Sequence, residues 1–82
     1  MYSIVFSDTA SKQLGKFDKQ IQDRILKSLE RIRIRPHPFV TKLVGEPYYK
    51  FRVGDYRILL DINEGKLIIL VVEVGHRKNI YH

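Results

Sequence analysis

Cysteine is absent from this 82-residue chain. Its absence excludes disulfides, thiolate nucleophiles and zinc sites built on cysteine, and it fits a reducing cytoplasm as the place of action. Long apolar runs are missing as well. The longest, Leu67 to Val72, is the size of a strand, far short of the ~20 residues that a membrane-spanning helix needs. No basic stretch followed by an apolar one and a small-residue cleavage site opens the chain, so neither export nor a membrane partner is expected. Repeats and low-complexity segments do not occur. Acidic residues are scarce: 9 Asp and Glu stand against 15 Lys and Arg, a net charge of +6. That balance favours an anionic partner, although charge by itself fits a generic basic domain equally well.

What is present fits one small folded domain spanning residues 1–82. Hydrophobic residues make up 44% of the chain and both signs of charge are mixed through it, which argues against disorder. So short a chain buries only about 60–65% of its unfolded surface, so its stability should be marginal.

The apolar, β-branched segment Tyr2-Ser3-Ile4-Val5-Phe6 predicts a strand. Ser7 and Asp8 offer N-cap oxygens to a brief helix carrying Ala10, Leu14 and Phe17 on one stripe, with Gly15 weakening its end. Asp18 is a second candidate cap. Ile21, Ile25, Leu29 and Ile32, with Leu26 beside them, mark the clearest helical period in the chain. Pro36-His37-Pro38 stops that helix, and His37 reads as a loop residue.

A linker with Gly45 and Pro47 leads to three predicted strands, about Tyr48–Val53, Tyr56–Ile62 and Lys66–Val74. Gly54-Asp55 suits a type II′ hairpin turn, and Asn63-Glu64-Gly65 supplies the next turn. The fold class is therefore α+β, in the order strand, helix, helix, strand, strand, strand, with the helical hairpin on one sheet face.

The hairpin defines a register. A two-residue loop sets Val53 opposite Tyr56, Arg52 opposite Arg57, Phe51 opposite Ile58 and Lys50 opposite Leu59. Alternation then sends Tyr49, Phe51, Val53, Tyr56, Ile58, Leu60 and Ile62 to the helix side, and Lys50, Arg52 and Arg57 to the open side. Slipping one strand by a residue would force arginine into the core. Like charges on neighbouring strands cost stability, so an anion, RNA foremost, belongs on that face. Leu59, Leu67, Ile69 and Val71 are expected near it as an apolar floor that strengthens attraction to phosphate. Glu73 is a candidate partner for Arg57 or Arg77. After Gly75 the basic tail His76-Arg77-Lys78 emerges, and Tyr81 is placed to stack on a base or donate its hydroxyl.

Lys42-Leu43-x-Gly45, Tyr49-Lys50-Phe51-Arg52, Gly54-Asp55-Tyr56-Arg57 and the ending Val74-Gly75-His76-Arg77-x-x-x-Tyr81 occur in an order and spacing that resembles the RelE family of toxin–antitoxin ribonucleases. The resemblance implies a helical hairpin on a mostly antiparallel, twisted sheet. It also implies cleavage of messenger RNA in the ribosomal A site, held in check by a small, acidic, helical antitoxin in a heterotetramer or larger complex. By the same resemblance Lys50 is a catalytic lysine, Arg57 steadies the scissile phosphate, Arg77 assists the leaving group, and Tyr81 orients the substrate.

Arg52 stands where some members carry a second lysine. Its guanidinium holds its proton too tightly to act as a base, so it clamps phosphate and leaves Lys50 or a histidine as base. His76 and His82 are the candidate acids or bases. Lys42, Lys78, Arg31 and Arg35 are assigned to RNA or ribosome binding, the last two from a basic helix region that also holds Arg24, Lys27 and Arg33. The 2′-hydroxyl of the substrate is the nucleophile in this chemistry, which implies neither metal nor other cofactor, and the three histidines lack compact ligand spacing. Two other readings stay open: a ParE-like toxin that poisons DNA gyrase, and a non-catalytic module that docks RNA or an antitoxin.

Overall fold

The computed structural model describes residues 1–77. The chain begins with strand β1 (Ser3–Phe6) and turns into helix α1 (Asp8–Gly15). Ser7 fastens this corner twice. Its hydroxyl accepts the Ala10 N–H at 3.0 Å, capping the helix, and donates to the Val72 carbonyl at 2.7 Å, tying the cap to the sheet. The helix ends at Gly15, as its weak propensity there predicts. Helix α2 (Lys19–Ile32) buries Ile25, Leu29 and Ile32 completely or nearly so. Arg33 then closes the helix against the first strand: its Nε donates to the Tyr2 carbonyl at 2.8 Å, and its carbonyl accepts the Tyr2 N–H.

Pro36, fully buried, introduces a 3-10 turn at His37–Phe39. A short strand that the sequence pattern does not announce follows: β2 (Val40–Lys42), antiparallel to β3 (Tyr49–Val53). Three residues are too few to display an alternation, so this segment reads as linker until its partner is known. β4 (Tyr56–Asn63) and β5 (Ile68–His76) complete a five-stranded sheet in the order β1-β5-β4-β3-β2. β1 pairs in parallel with β5, and every other pairing is antiparallel. The turn before β5 is longer than expected. The Lys66 N–H donates to Asn63 Oδ1, and Leu67 adopts a left-handed backbone (φ 55°) rare for a leucine.

Both helices lie on one face of the sheet, where Ala10, Leu14, Ile25, Leu29 and Ile32 meet Phe51, Val53, Ile58, Leu60, Ile69, Val71 and Val74. The β3–β4 register matches the alternation argument at each of its pairs, Arg52 opposite Arg57 and Lys50 opposite Leu59 included. The expectation for β5 is corrected. A bulge between Leu59 and Leu60 shifts the β4–β5 ladder, and Ile69 and Val71 point into the helix-side core with no exposed surface. Leu67 belongs to the turn. Of the four leucine, isoleucine and valine positions expected under the cations, Leu59 alone lies on the open side, opposite Lys50. A strand apolar on both sides gives no clue to its register, and the bulge is what chooses.

Candidate nucleic-acid interface

The open face owes its chemistry to the β3–β4 hairpin. Gly54 adopts φ 57° while Asp55 stays at negative φ, the combination a type II′ turn requires. This tight turn places Arg52 and Arg57 directly across from each other. Both reach back to one oxygen. Arg52 Nε and Arg57 Nη1 each donate to the Gly54 carbonyl at 3.3 Å, and Arg57 Nη1 also lies 3.4 Å from the Tyr56 carbonyl. A single shared carbonyl offsets part of the repulsion between two guanidinium groups and leaves most of their N–H donors free for an oxyanion.

Lys50 stands two residues along the same strand, opposite Thr41 on one side and Leu59 on the other. Lys50, Arg52 and Arg57 line one depression of about 270 Å³ together with Thr41 and Phe39. Among the described residues none of these cations forms an ion pair with a carboxylate.

Arg77 reaches the same hairpin by another route. Its backbone N–H donates to the Asp55 carbonyl at 2.8 Å, and Nη1 lies 4.0 Å from Asp55 Oδ1. Asp55, not Glu73, is therefore the partner of Arg77. Glu73 instead lines a cavity with Gln13, Lys16, Phe17, Val74, Gly75 and His76. A guanidinium from α2 adds to the tip: a Cβ placed on Gly54 would stand 2.9 Å from Arg24 Nη2. The proximity of Arg24 has no signature in sequence, because it depends on how α2 is aimed across the sheet.

Other expected site residues are dispersed. His76 pairs with Tyr56 in the ladder and meets its ring edge-on at 5.6 Å, and Tyr56 in turn packs on Phe17 at 5.1 Å. It thus shares the helix side of the sheet with Tyr56, away from the face that carries Lys50. Lys42 lies opposite Tyr49 with Nζ 4.8 Å from that ring's centroid, also on the side of the core aromatics. Arg31 is exposed in the last turn of α2, and Arg35 borders a separate cavity with Tyr2, Ile34, Pro36, His37 and Pro38. His37 Nε2 sits 2.7 Å from Glu64 Oε1, joining the 3-10 turn to the β4–β5 turn. Tyr81, Lys78 and His82 lie outside the described residues. Thr41 and Phe39 are the site residues that sequence reasoning missed, since both depend on recognising β2.

The described residues thus form a sheet with a helical hairpin on one face and, on the other, three cations with no carboxylate partner among them. Comparison with known proteins gives the family. Residues 4–81 match the family model described as the ParE toxin of the type II toxin–antitoxin system, parDE. A RelE-like toxin protein of Escherichia coli is 35% identical over 80 residues, covering 94% of this chain and 84% of that protein. The mRNA interferase toxin RelE of Escherichia coli K12 is 26% identical over the same length and shares.

Among solved structures, the RelBE2 toxin–antitoxin complex of Mycobacterium tuberculosis shares the fold with a TM-score of 0.85, at 24% identity over 93% of this chain and 98% of that one. The intact RelBE toxin–antitoxin complex of Escherichia coli aligns with a TM-score of 0.80, at 25% identity over 93% of this chain and 96% of that one. The chain belongs to the RelE/ParE family and is a RelE-family toxin of a type II toxin–antitoxin system.

Proposed function

We propose that this toxin is an mRNA interferase, an endoribonuclease that cuts messenger RNA in the ribosomal A site and so inhibits translation. The observation that carries the reading is the convergence of Lys50, Arg52 and Arg57 in one depression, with no carboxylate partner among the described residues. The relatives named as mRNA interferases support it.

In this reading the 2′-hydroxyl next to the scissile phosphate is the nucleophile, and it attacks the phosphorus to leave a 2′,3′-cyclic phosphate and a free 5′-hydroxyl. The protein contributes alignment, a base to take the hydroxyl proton and cations where charge builds on phosphate. Lys50, which lines the same depression as Arg52 and Arg57, takes the role of base in this reading. Arg52 and Arg57 clamp the phosphate oxygens, gathered by the Gly54 carbonyl they share. Arg77 stands beside the hairpin tip to steady the leaving oxygen, and Tyr81 orients the substrate. The whole of residues 1–82 acts as one domain in the cytoplasm, where ribosomes are, and a small acidic helical antitoxin restrains it in a heterotetramer or larger assembly.

A translation extract programmed with a defined message tests the reading. Wild-type protein is expected to cut the message only when ribosomes are present. Lys50→Ala together with Arg57→Ala is expected to lower the rate by at least about 100-fold, the usual effect of removing a base or a charge-stabilising donor. Intact message at high protein concentration would count against the assignment, as would undiminished cutting by the double variant. The family model's description as a ParE toxin favours one second reading, a toxin that poisons DNA gyrase without RNA chemistry. Inhibition of supercoiling by the purified protein, with message left whole, would put that reading first.

A further inference from the structure

Phe39 is a large apolar side chain left 51% exposed at the rim of the cationic depression. It is absent from the hydrophobic core, and among the described residues its ring meets no other aromatic ring. Its backbone, by contrast, is well held. The buried Pro36 begins the 3-10 turn, Pro38 restricts the turn's interior, and the Phe39 N–H donates to the Pro36 carbonyl at 3.0 Å. Immediately afterwards β2 pairs with β3, Val40 opposite Phe51 and Thr41 opposite Lys50. Continuing that ladder by one step brings position 39 opposite Arg52, on the face of Thr41 and Lys50. A rigid turn therefore presents an unpaired aromatic face beside two guanidinium groups and an ammonium.

Single exposed apolar side chains are common, and this one is set apart by its place in the lining of the depression that holds Lys50, Arg52 and Arg57. The combination of a flat π-surface and neighbouring cations has a natural ligand in single-stranded nucleic acid, whose bases stack while its phosphates are neutralised. We propose that Phe39 is a stacking platform for one unpaired nucleobase of the RNA strand, adjacent to the phosphate held by Lys50, Arg52 and Arg57. The inference rests on the ribonuclease reading and adds a binding subsite to it. Phe39 positions the strand and takes no part in proton transfer. Stacking on phenylalanine tolerates any base, so the subsite contributes affinity and register more than sequence preference.

Single-turnover cleavage on ribosomes programmed with a short mRNA tests this, using Phe39→Ala, Phe39→Leu and Phe39→Trp. Each message is made intact and with a single abasic nucleotide moved stepwise across the cut site. Phe39→Ala should reduce kcat/KM about 5- to 150-fold, the range for loss of one base–aromatic stack. Phe39→Trp should retain activity, whereas Phe39→Leu, which keeps apolar bulk without a π-face, should not. At one position the abasic message should lower wild-type kcat/KM by a similar factor and leave Phe39→Ala unchanged, because the stack is already gone.

Wild-type activity in Phe39→Ala or Phe39→Leu overturns the inference while the ribonuclease reading stands, and so do losses that multiply at every abasic position. A wild type that cuts no message removes the reading beneath it. Thermal unfolding of the three variants guards against misfolding, and Phe39→Leu supplies the comparison should Phe39→Ala unfold.

Discussion

Substituting Gly54 by alanine separates two forces that meet at the hairpin tip. The first is conformational. At φ 57° an L-residue brings its Cβ against the carbonyl, at a cost of about 1–2 kcal/mol. Against this, alanine has fewer unfolded conformations than glycine, which returns about 0.4–1 kcal/mol. The second force is steric. The new Cβ would lie 2.9 Å from Arg24 Nη2 and 3.0 Å from its Cζ and Nη1. Those atoms are the far end of a flexible, exposed side chain, so Arg24 swings aside at little cost.

The net expectation is a loss of roughly 1 kcal/mol, dominated by the backbone. In an 82-residue chain that lowers Tm by about 4–8 °C, and it shifts the urea midpoint at constant slope. Most of the loss should persist in an Arg24→Ala background, and Gly54→Asn, which tolerates positive φ better, should lose less. RNA cleavage should fall as well, because a displaced Gly54 carbonyl no longer gathers Arg52 and Arg57. Wild-type stability in Gly54→Ala would refute the conformational argument. Full rescue by Arg24→Ala would show that the steric force governs.

Two further substitutions probe the scaffold. Ile25→Ala empties a fully buried position between α2 and the sheet and should cost about 2–5 kcal/mol in urea unfolding, enough to threaten a chain this small. Ser7→Ala removes both the cap on α1 and the bond to the Val72 carbonyl, and should cost about 0.5–2 kcal/mol, with Ser7→Asp restoring only the cap share by thermal unfolding.

The β3–β4 hairpin is legible in the amino-acid sequence because its alternation is strict. Arginine and lysine interleave with aromatic and β-branched residues, and a glycine stands where a two-residue turn needs positive φ. Only one register keeps the cations out of the core, and the observed pairs are those of that register. The helices announce themselves by the spacing of Ile25, Leu29 and Ile32 and by the oxygen of Ser7. β5 is different, since apolar residues on both faces fit either register until the bulge at Leu59/Leu60 selects one. His76 likewise follows Tyr56 to the helix side because pairing across the ladder sets the face a side chain takes. β2, and with it Phe39 and Thr41, is too short to recognise from its residues.

Local order in this protein, its turns, caps and the inward or outward sense of the β3–β4 hairpin, is written in residue spacing, because each depends on neighbours within a few positions. The parallel pairing of β1 with β5, the reach of Arg24 to Gly54 and of Arg77 to Asp55, and the addition of Phe39 to the cationic depression belong to the tertiary structure. They join residues far apart in the chain, and contacts of that kind are decided by how whole elements pack.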